Sequence, residues 1–276
     1  MPVETKYYVV EKDGPVVIWK FNNPPQNLMN LKTGAEFVDL VEEFEADPDL
    51  RVGILTSNLP DVFIQHFDVS VILDEWSSKT AQELSDRQEA RKNSRAKPRG
   101  LGRLRRKPII AAISGQTAGG GCETTLMCEF RFMSRNASLG LPEVNAGILP
   151  GGGGTQRMTR LLGISKAMEM LLLGRVVNAD EAERIGLVHK AYDVEELLPA
   201  AIAFAKELAQ RPPTAIGHIM ECIYEGSQMP LTDGLALEGK LFFELTQTED
   251  AKRIMSDYVA GGQKVNTLTA TESPAS

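Results

Sequence analysis

The feature that most constrains the fold is an apolar run at residues 108–113, which leads through three consecutive glycines at residues 119–121 into a segment of helical pattern. A short apolar run bounded by proline and glycine is typical of a strand buried on both faces. Further strand patterns lie at residues 7–14, 15–21, 51–57, 130–133 and 187–191, and helical patterns lie at residues 33–46 and 121–129. Strands that alternate with helices predict an α/β fold.

The pattern changes after residue 155, where apolar residues recur at helical spacing over most of the remaining chain. Helices are predicted at residues 158–162, 166–173, 179–185, 194–210, 214–224 and 235–260. We therefore expect an α/β core over residues 1–200 and a helical region over residues 201–265. The last stretch, residues 266–276, is rich in Thr, Ser and Ala and predicts a disordered tail.

Composition restricts the class of protein. With 276 residues and 42% hydrophobic content, the chain can bury a sizeable core. A net charge of −7 argues against a general nucleic-acid binder. The three cysteines are too few for a disulfide framework and favour a reducing compartment. Their spacing to the three histidines fits no metal site, so we expect no bound metal.

The expected location follows from two sequence patterns. No apolar run is long enough to span a bilayer, so no membrane partner is expected. The first residues show neither the apolar stretch of a signal peptide nor an Arg-rich amphipathic presequence. These patterns predict a cytoplasmic protein, or the processed form of an organelle matrix protein.

Two glutamates in glycine-rich surroundings are the candidate acid–base residues. Glu123 lies in the first turn of the predicted helix that follows residues 119–121, and Glu143 precedes the glycine run at residues 151–154. N–H groups at a helix start can bind an anion or a developing oxyanion. Two adjacent carboxylates could hold one water, with one of them protonated because like charges separate their pKa values. Taken singly, Glu123 could merely offset the helix dipole and Glu143 could be an ordinary loop carboxylate.

Three segments together, residues 109–123, 139–143 and 147–157, resemble the enoyl-CoA hydratase/isomerase (crotonase) family. Weaker similarity extends the resemblance over roughly residues 6–260 and includes Asn27. The resemblance implies a spiral of ββα units, with C-terminal helices that form a homotrimer, often paired into a hexamer. It also implies an acyl-CoA thioester substrate and no cofactor beyond the coenzyme A of that substrate.

The resemblance also assigns roles to individual residues. The backbone N–H groups of Phe67 and Gly120 would form an oxyanion hole for the thioester oxygen. Glu123 would activate a water molecule, and Glu143 would exchange the proton at the carbon next to the thioester. The N–H group of Gly151 would help to orient the water.

One loop departs from the family pattern. Gln65 and His66 stand where the family usually has small residues and a glycine, and with Asp68 they are expected to contact the substrate. A residue other than glycine would be strained there if the loop required a positive φ. His66 could enter the site, or its ring could pack outward and leave only its backbone in use. The second interpretation is the favoured one.

The basic segment at residues 91–107 contains lysines and arginines but no acidic residue. Most such charge runs are solvated connections. The resemblance suggests a role beside the phosphates of coenzyme A, where Arg and Lys pair well with phosphate. Some family members bind RNA through a lysine-rich helix. Pro98, Gly100 and the negative net charge argue against that function here, so nucleic acid is not expected as a partner.

The sequence therefore predicts an enoyl-CoA hydratase, which adds water reversibly across the double bond of a 2-enoyl-CoA. An enoyl-CoA isomerase, or another acyl-CoA lyase or hydrolase of the same fold, is the alternative among enzymes. Outside the enzymes, the alternative is a protein that binds CoA thioesters or RNA with little turnover.

Overall fold

The computed structural model describes residues 2–76, 78–83, 85, 86, 89 and 105–261. The tail predicted at residues 266–276 and most of the basic segment lie outside the described residues. The chain divides into two compact units, Met1–Arg211 and Pro212–Ser276. Among the described residues, no helix combines the length and the apolar character needed to cross a bilayer.

The first unit is built on a seven-stranded sheet. The strands of the unit are β1 (Val3–Glu4), β2 (Tyr8–Asp13), β3 (Val16–Phe21), β4 (Val52–Ser57), β5 (Ile109–Ile113), β6 (Thr117–Ala118), β7 (Phe130–Ser134), β8 (Ser138–Gly140), β9 (Val176–Asn178) and β10 (Lys190–Tyr192). The sheet order is β1-β2-β3-β4-β5-β7-β10. The first three strands pair antiparallel, and the pairs from β3 to β10 are parallel. All five residues of β5 are buried, as its apolar run predicts.

Nine α-helices are described along the chain. They are α1 (Leu31–Ala46), α2 (Val69–Val71), α3 (Gly120–Thr125), α4 (Gly154–Leu172), α5 (Ala179–Arg184), α6 (Val194–Leu208), α7 (Pro213–Glu221), α8 (Leu231–Thr246) and α9 (Glu249–Val259). Helix α1 covers one face of the sheet, where Phe37 and Phe44 meet the ring of Trp19 edge-on. Helix α6 covers the other face with Leu197 and Ala201. The predicted α/β class is confirmed.

The compact unit extends past the domain boundary predicted at residue 200, because that position lies inside α6. The helix packs Leu197, Ala201 and Ala205 into the core beside β3 and β4, so it is part of the same compact unit as the sheet. The strand predicted at residues 187–191 begins only at Lys190. The helix predicted at residues 121–129 is shorter at its C-terminal end and stops at Thr125.

Two helix predictions differ from the structure in how the chain is divided. The helices predicted at residues 158–162 and 166–173 form the single element α4, which is kinked at Gly163 where φ is 77°. The helix predicted at residues 235–260 is two helices, α8 and α9. The break falls at Thr248, whose side chain caps α9 by accepting a hydrogen bond from the N–H of Ala251.

A second, three-stranded sheet joins β6, β8 and β9. Strand β6 pairs parallel with β8, and β8 pairs antiparallel with β9. Two isolated bridges extend the pairing, from Val62 to Gln116 and from Met29 to Phe67. This sheet connects the end of β5 to the start of α3, so it sets where the glycines at residues 119–121 lie.

Candidate active site

The start of α3 lies against the loop at residues 63–68, here called the Phe67 loop. A Cβ atom at Gly120 would lie 2.9 Å from the Cβ of Phe67 and 3.3 Å from its backbone nitrogen. A Cβ at Gly121 would collide with the carbonyl oxygen of Ile64. Gly119 has a φ of 52°, in the region that favours glycine. The absence of a Cβ at Gly120 and Gly121 therefore lets the start of α3 lie directly against the backbone of the Phe67 loop. The oxyanion hole formed by the N–H groups of Phe67 and Gly120 stays a prediction.

Glu123 is buried and held by backbone donors. The residue is 6% exposed, and its Oε1 atom accepts a 2.7 Å hydrogen bond from the N–H of Gly154. Burial raises the pKa of the Glu123 carboxyl. The N–H groups of Gly154 and Gly152 and the charge of Arg157 act in the opposite direction, because each favours the ionised form.

Glu143 has a different environment. It opens a short 3-10 helix, Glu143–Ala146, and its Oε1 atom lies 3.1 Å from the position that a Cβ would take at Gly119. Its Oε2 atom is buried and has no hydrogen-bond partner within the part of the chain that the structure describes. Burial, the largest effect, raises the pKa of Glu143 to about 7, with the charge of Glu123 adding to it and a hydrogen bond from its own backbone N–H opposing it. The structure thus brings the two glutamates close enough to interact, and Glu143 keeps its proton to a higher pH than an ordinary glutamate does.

The glycine run before α4 holds the Glu123 carboxylate. A Cβ at Gly152 would lie 2.6 Å from Oε2 of Glu123, and the guanidinium of Arg157 donates a 2.8 Å hydrogen bond to the carbonyl of Gly152. The sequence did not single out Gly152, Gly154 or Arg157. The run of four glycines before a helix was the available signal, because first-turn N–H groups lack partners within the helix.

Gly151, the predicted water-positioning residue, is exposed. A Cβ at this position would meet no atom within 4 Å, so the space around its backbone is open. Its role in orienting water stays a prediction.

The Phe67 loop is not strained at its unusual residues. Among the described residues, Asn27 and Asp61 are the positive-φ positions other than glycine, so the condition under which Gln65 or His66 would be strained is not met. Nδ1 of His66 lies 2.8 Å from the carbonyl oxygen of Phe67. Because a carbonyl can only accept, Nδ1 carries the proton of that hydrogen bond. The ring is thus bound to its own loop.

Gln65 also binds through its backbone. Its N–H donates to the carbonyl of Asn27 at 3.2 Å, and its carbonyl accepts a 2.9 Å hydrogen bond from the N–H of Ala118. Its buried Oε1 atom has no hydrogen-bond partner among the residues that are described. Substrate contact by Gln65 and His66 stays a prediction.

Asp68 caps α2. Its Oδ1 atom accepts hydrogen bonds from the backbone N–H of Ser70 at 3.0 Å and from its hydroxyl at 2.7 Å. The same carboxylate was predicted to contact the substrate, and that role stays a prediction.

We expect Asp68→Ala to cost about 1 kcal/mol of stability and Asp68→Asn almost nothing, because Asn caps a helix as well as Asp does. Urea denaturation of both variants measures this, and an equal loss in both would show that the charge itself is needed.

The end of the basic segment is used inside the protein. The side chain of Arg105 is 3% exposed and forms an ion pair with Glu129. Nζ of Lys107 donates to the carbonyls of Phe44 at 2.7 Å and Asp47 at 2.6 Å. The predicted phosphate contacts are therefore wrong for Arg105 and Lys107, which anchor the chain before β5. Residues 91–104 lie outside the described part of the chain.

Solved structures of other proteins share this fold. An enoyl-CoA hydratase from Geobacillus kaustophilus superposes with a TM-score of 0.84 and 29% identity, over 95% of this chain and 97% of the other. An enoyl-CoA hydratase from Bacillus anthracis gives a TM-score of 0.80 and 28% identity, over 94% of this chain and all of the other. The protein is therefore an α/β protein of the crotonase fold.

Sequence comparison gives the family. Residues 11–265 match the profile of the enoyl-CoA hydratase/isomerase family. A short-chain-enoyl-CoA hydratase from Clostridium acetobutylicum is 34% identical over 260 residues, which are 93% of this chain and 96% of the relative. A crotonyl-CoA hydratase from Syntrophomonas wolfei is 33% identical over 252 residues, with 91% and 94% coverage. The chain belongs to the enoyl-CoA hydratase/isomerase family.

Proposed function

We propose that this protein is an enoyl-CoA hydratase that adds water reversibly to a 2-enoyl-CoA. The observation that carries the proposal is the difference between the two glutamates. Glu123 accepts a hydrogen bond from a backbone N–H, and Glu143 has a pKa raised to about 7 with an unpartnered Oε2 among the described residues. One group is suited to accept a proton while the other donates one. The similar proteins named above are hydratases of enoyl-CoA thioesters.

The two carboxyl groups complete the reaction between them. Glu123 takes a proton from water as the water oxygen bonds to C3 of the enoyl group. The electrons of the double bond move to the thioester oxygen, where the N–H groups of Phe67 and Gly120 stabilise the negative charge. These electrons then form a bond from C2 to the proton of Glu143. Gly151 would orient the water through its N–H. Glu123 then gives up the proton that it took, and Glu143 regains one, which returns the pair to its starting state. Since water and the two carboxyl groups supply every proton transfer, we propose that the cycle uses no further cofactor.

A spectrophotometric assay with crotonyl-CoA tests the proposal. We expect loss of the enoyl-thioester absorbance and formation of a 3-hydroxyacyl-CoA. Hydration requires protonated Glu143, whose pKa is raised to about 7. Raising the pH through about 7 removes that proton, so kcat/KM for hydration should fall by about tenfold per pH unit above this value. Dehydration starts from the same one-proton state of the pair, with the proton on Glu123. Because the equilibrium constant of hydration does not depend on pH, kcat/KM for dehydration should fall with pH in parallel.

The products decide between the enzyme classes. A 3-enoyl-CoA formed without any 3-hydroxyacyl-CoA would favour an isomerase. Binding of crotonyl-CoA without turnover would favour the non-catalytic alternative. A hydration rate that does not change between pH 6 and pH 9 would contradict the assigned role of Glu143.

The remaining proposals concern assembly and cellular role. We propose a homotrimer or a hexamer, supported by large exposed apolar side chains on α4, such as Ile164 and Leu172, and on α8, such as Phe242 and Phe243. We propose a role in fatty-acid metabolism because the relatives from Clostridium and Syntrophomonas are named for short-chain enoyl-CoA and crotonyl-CoA substrates, which are thioesters of short fatty acids. A cytoplasmic location is supported by the unpaired state of all three cysteines.

A further inference from the structure

Asn27 is a polar residue with 0% exposure that links several segments near the site. Its Nδ2 group donates to the Ser57 hydroxyl at 2.8 Å, to the Phe63 carbonyl at 2.9 Å and, at a longer 3.4 Å, to the Phe21 carbonyl. Its Oδ1 atom accepts a 2.7 Å hydrogen bond from the N–H of Asn23. The side chain thus ties the ends of β3 and β4 to the start of the Phe67 loop.

The backbone that follows Asn27 runs beside the same loop. The carbonyl of Asn27 accepts a 3.2 Å hydrogen bond from the N–H of Gln65. The N–H of Met29 donates to the carbonyl of His66 at 2.9 Å, and the carbonyl of Met29 accepts from the N–H of Asp68 at 2.7 Å. Residues 27–29 therefore form a short ladder with the Phe67 loop, and the Asn27 side chain fixes the position of that ladder.

The ladder sets the direction of the Phe67 N–H. The His66 carbonyl and the Phe67 N–H belong to one trans peptide group, in which the two point in opposite directions. Because Met29 binds the carbonyl, the N–H lies on the side away from Met29. Gly120, the other proposed oxyanion-hole residue, lies close to this nitrogen, because a Cβ at Gly120 would be 3.3 Å from it. The hydrogen bond from Met29 also polarises this peptide group and strengthens its N–H as a donor.

We propose that Asn27 is a positioning residue for the oxyanion hole, acting through Met29 and the loop on the N–H of Phe67. This inference rests on the proposed hydratase function. The φ of Asn27 is 52°, so its backbone conformation is one that glycine also adopts readily. Asn27→Gly therefore removes the side chain without adding backbone strain. Asn27→Asp keeps the shape and the Oδ1 acceptor but loses the Nδ2 donor.

Steady-state kinetics with crotonyl-CoA test the inference. A misplaced oxyanion donor affects the transition state more than the bound substrate, so we expect kcat to fall about 10²-fold in both variants with little change in KM. Thr56→Val is the matched control. It removes another buried hydrogen bond, from the Thr56 hydroxyl to the Ala112 carbonyl at 2.9 Å, inside the sheet. This control should lower the melting temperature but keep kcat.

A spectroscopic probe separates positioning from stability. An enoyl-CoA with an electron-donating aromatic group on C3 shifts its absorbance to the red when its thioester oxygen accepts hydrogen bonds. We expect the shift in the wild type and in Thr56→Val, and a smaller shift in both Asn27 variants. A full shift with unchanged kcat in folded Asn27 variants would overturn the inference while the hydratase proposal stands. If the wild type showed no turnover and no red shift, both the positioning role and the hydratase proposal would be overturned.

A milder variant covers the case in which both Asn27 variants fail to fold. Ser57→Ala removes one acceptor of the Asn27 Nδ2 group and leaves Asn27 in place. We expect a smaller loss of kcat and a partial loss of the red shift. Wild-type values for both would overturn the positioning role.

Discussion

Glu143→Gln and Glu123→Gln are each expected to lower kcat for crotonyl-CoA hydration by about 10²–10⁴-fold, because each removes one side of the acid–base pair. Glutamine keeps the size of the side chain but cannot transfer a proton. In Glu143→Gln, the residual rate should also lose its decline above pH 7, because the group with the pKa raised to about 7 is gone. Steady-state absorbance assays of kcat between pH 6 and pH 9 measure both effects.

A matched control is Glu195→Gln, which changes an exposed glutamate in the first turn of α6. It should behave as the wild type. The double variant of Glu123 and Glu143 should be little slower than the slower single variant, because residues that act as a unit are not additive. Wild-type rates in either single variant would reject the assigned mechanism.

Gly152→Ala is expected to lower kcat by about 10²-fold although it removes no catalytic group. The new Cβ would lie 2.6 Å from Oε2 of Glu123, so the carboxylate must move away from its backbone donors. Because a buried carboxylate that loses a hydrogen bond costs about 1–3 kcal/mol, the melting temperature should also fall, by a few degrees. Kinetics and thermal unfolding of the same preparation measure the two quantities.

The control for this substitution is Gly34→Ala in α1. A Cβ at Gly34 would meet no atom within 4 Å, and alanine favours a helix over glycine. This variant should keep full activity and gain a little stability. A Gly152→Ala enzyme with wild-type kcat would show that activity does not depend on the position of the Glu123 carboxylate beside the glycine run.

The main strands and most helices were predictable because burial leaves a pattern along the chain. Strand β5 is buried on both faces and reads as a continuous apolar run, and α1 shows one apolar face. Strands β6, β8 and β9 were missed because two or three residues are too few to show a period. The kink at Gly163 and the cap at Thr248 depend on backbone angles and on a side-chain hydrogen bond, which apolar spacing does not record.

The sequence by itself determined the α/β class, the glycine-rich start of α3 and the two glutamates as candidates. These features are local, since they depend on residue type and on spacing within one segment. Only the tertiary structure decided what surrounds each glutamate. Gly154 binds Glu123 from 31 residues away, and Asn27 binds Phe63 from 36 residues away. Because such contacts join segments that are distant in sequence, their geometry, and the pKa difference between the two acids, arise only when the chain has folded.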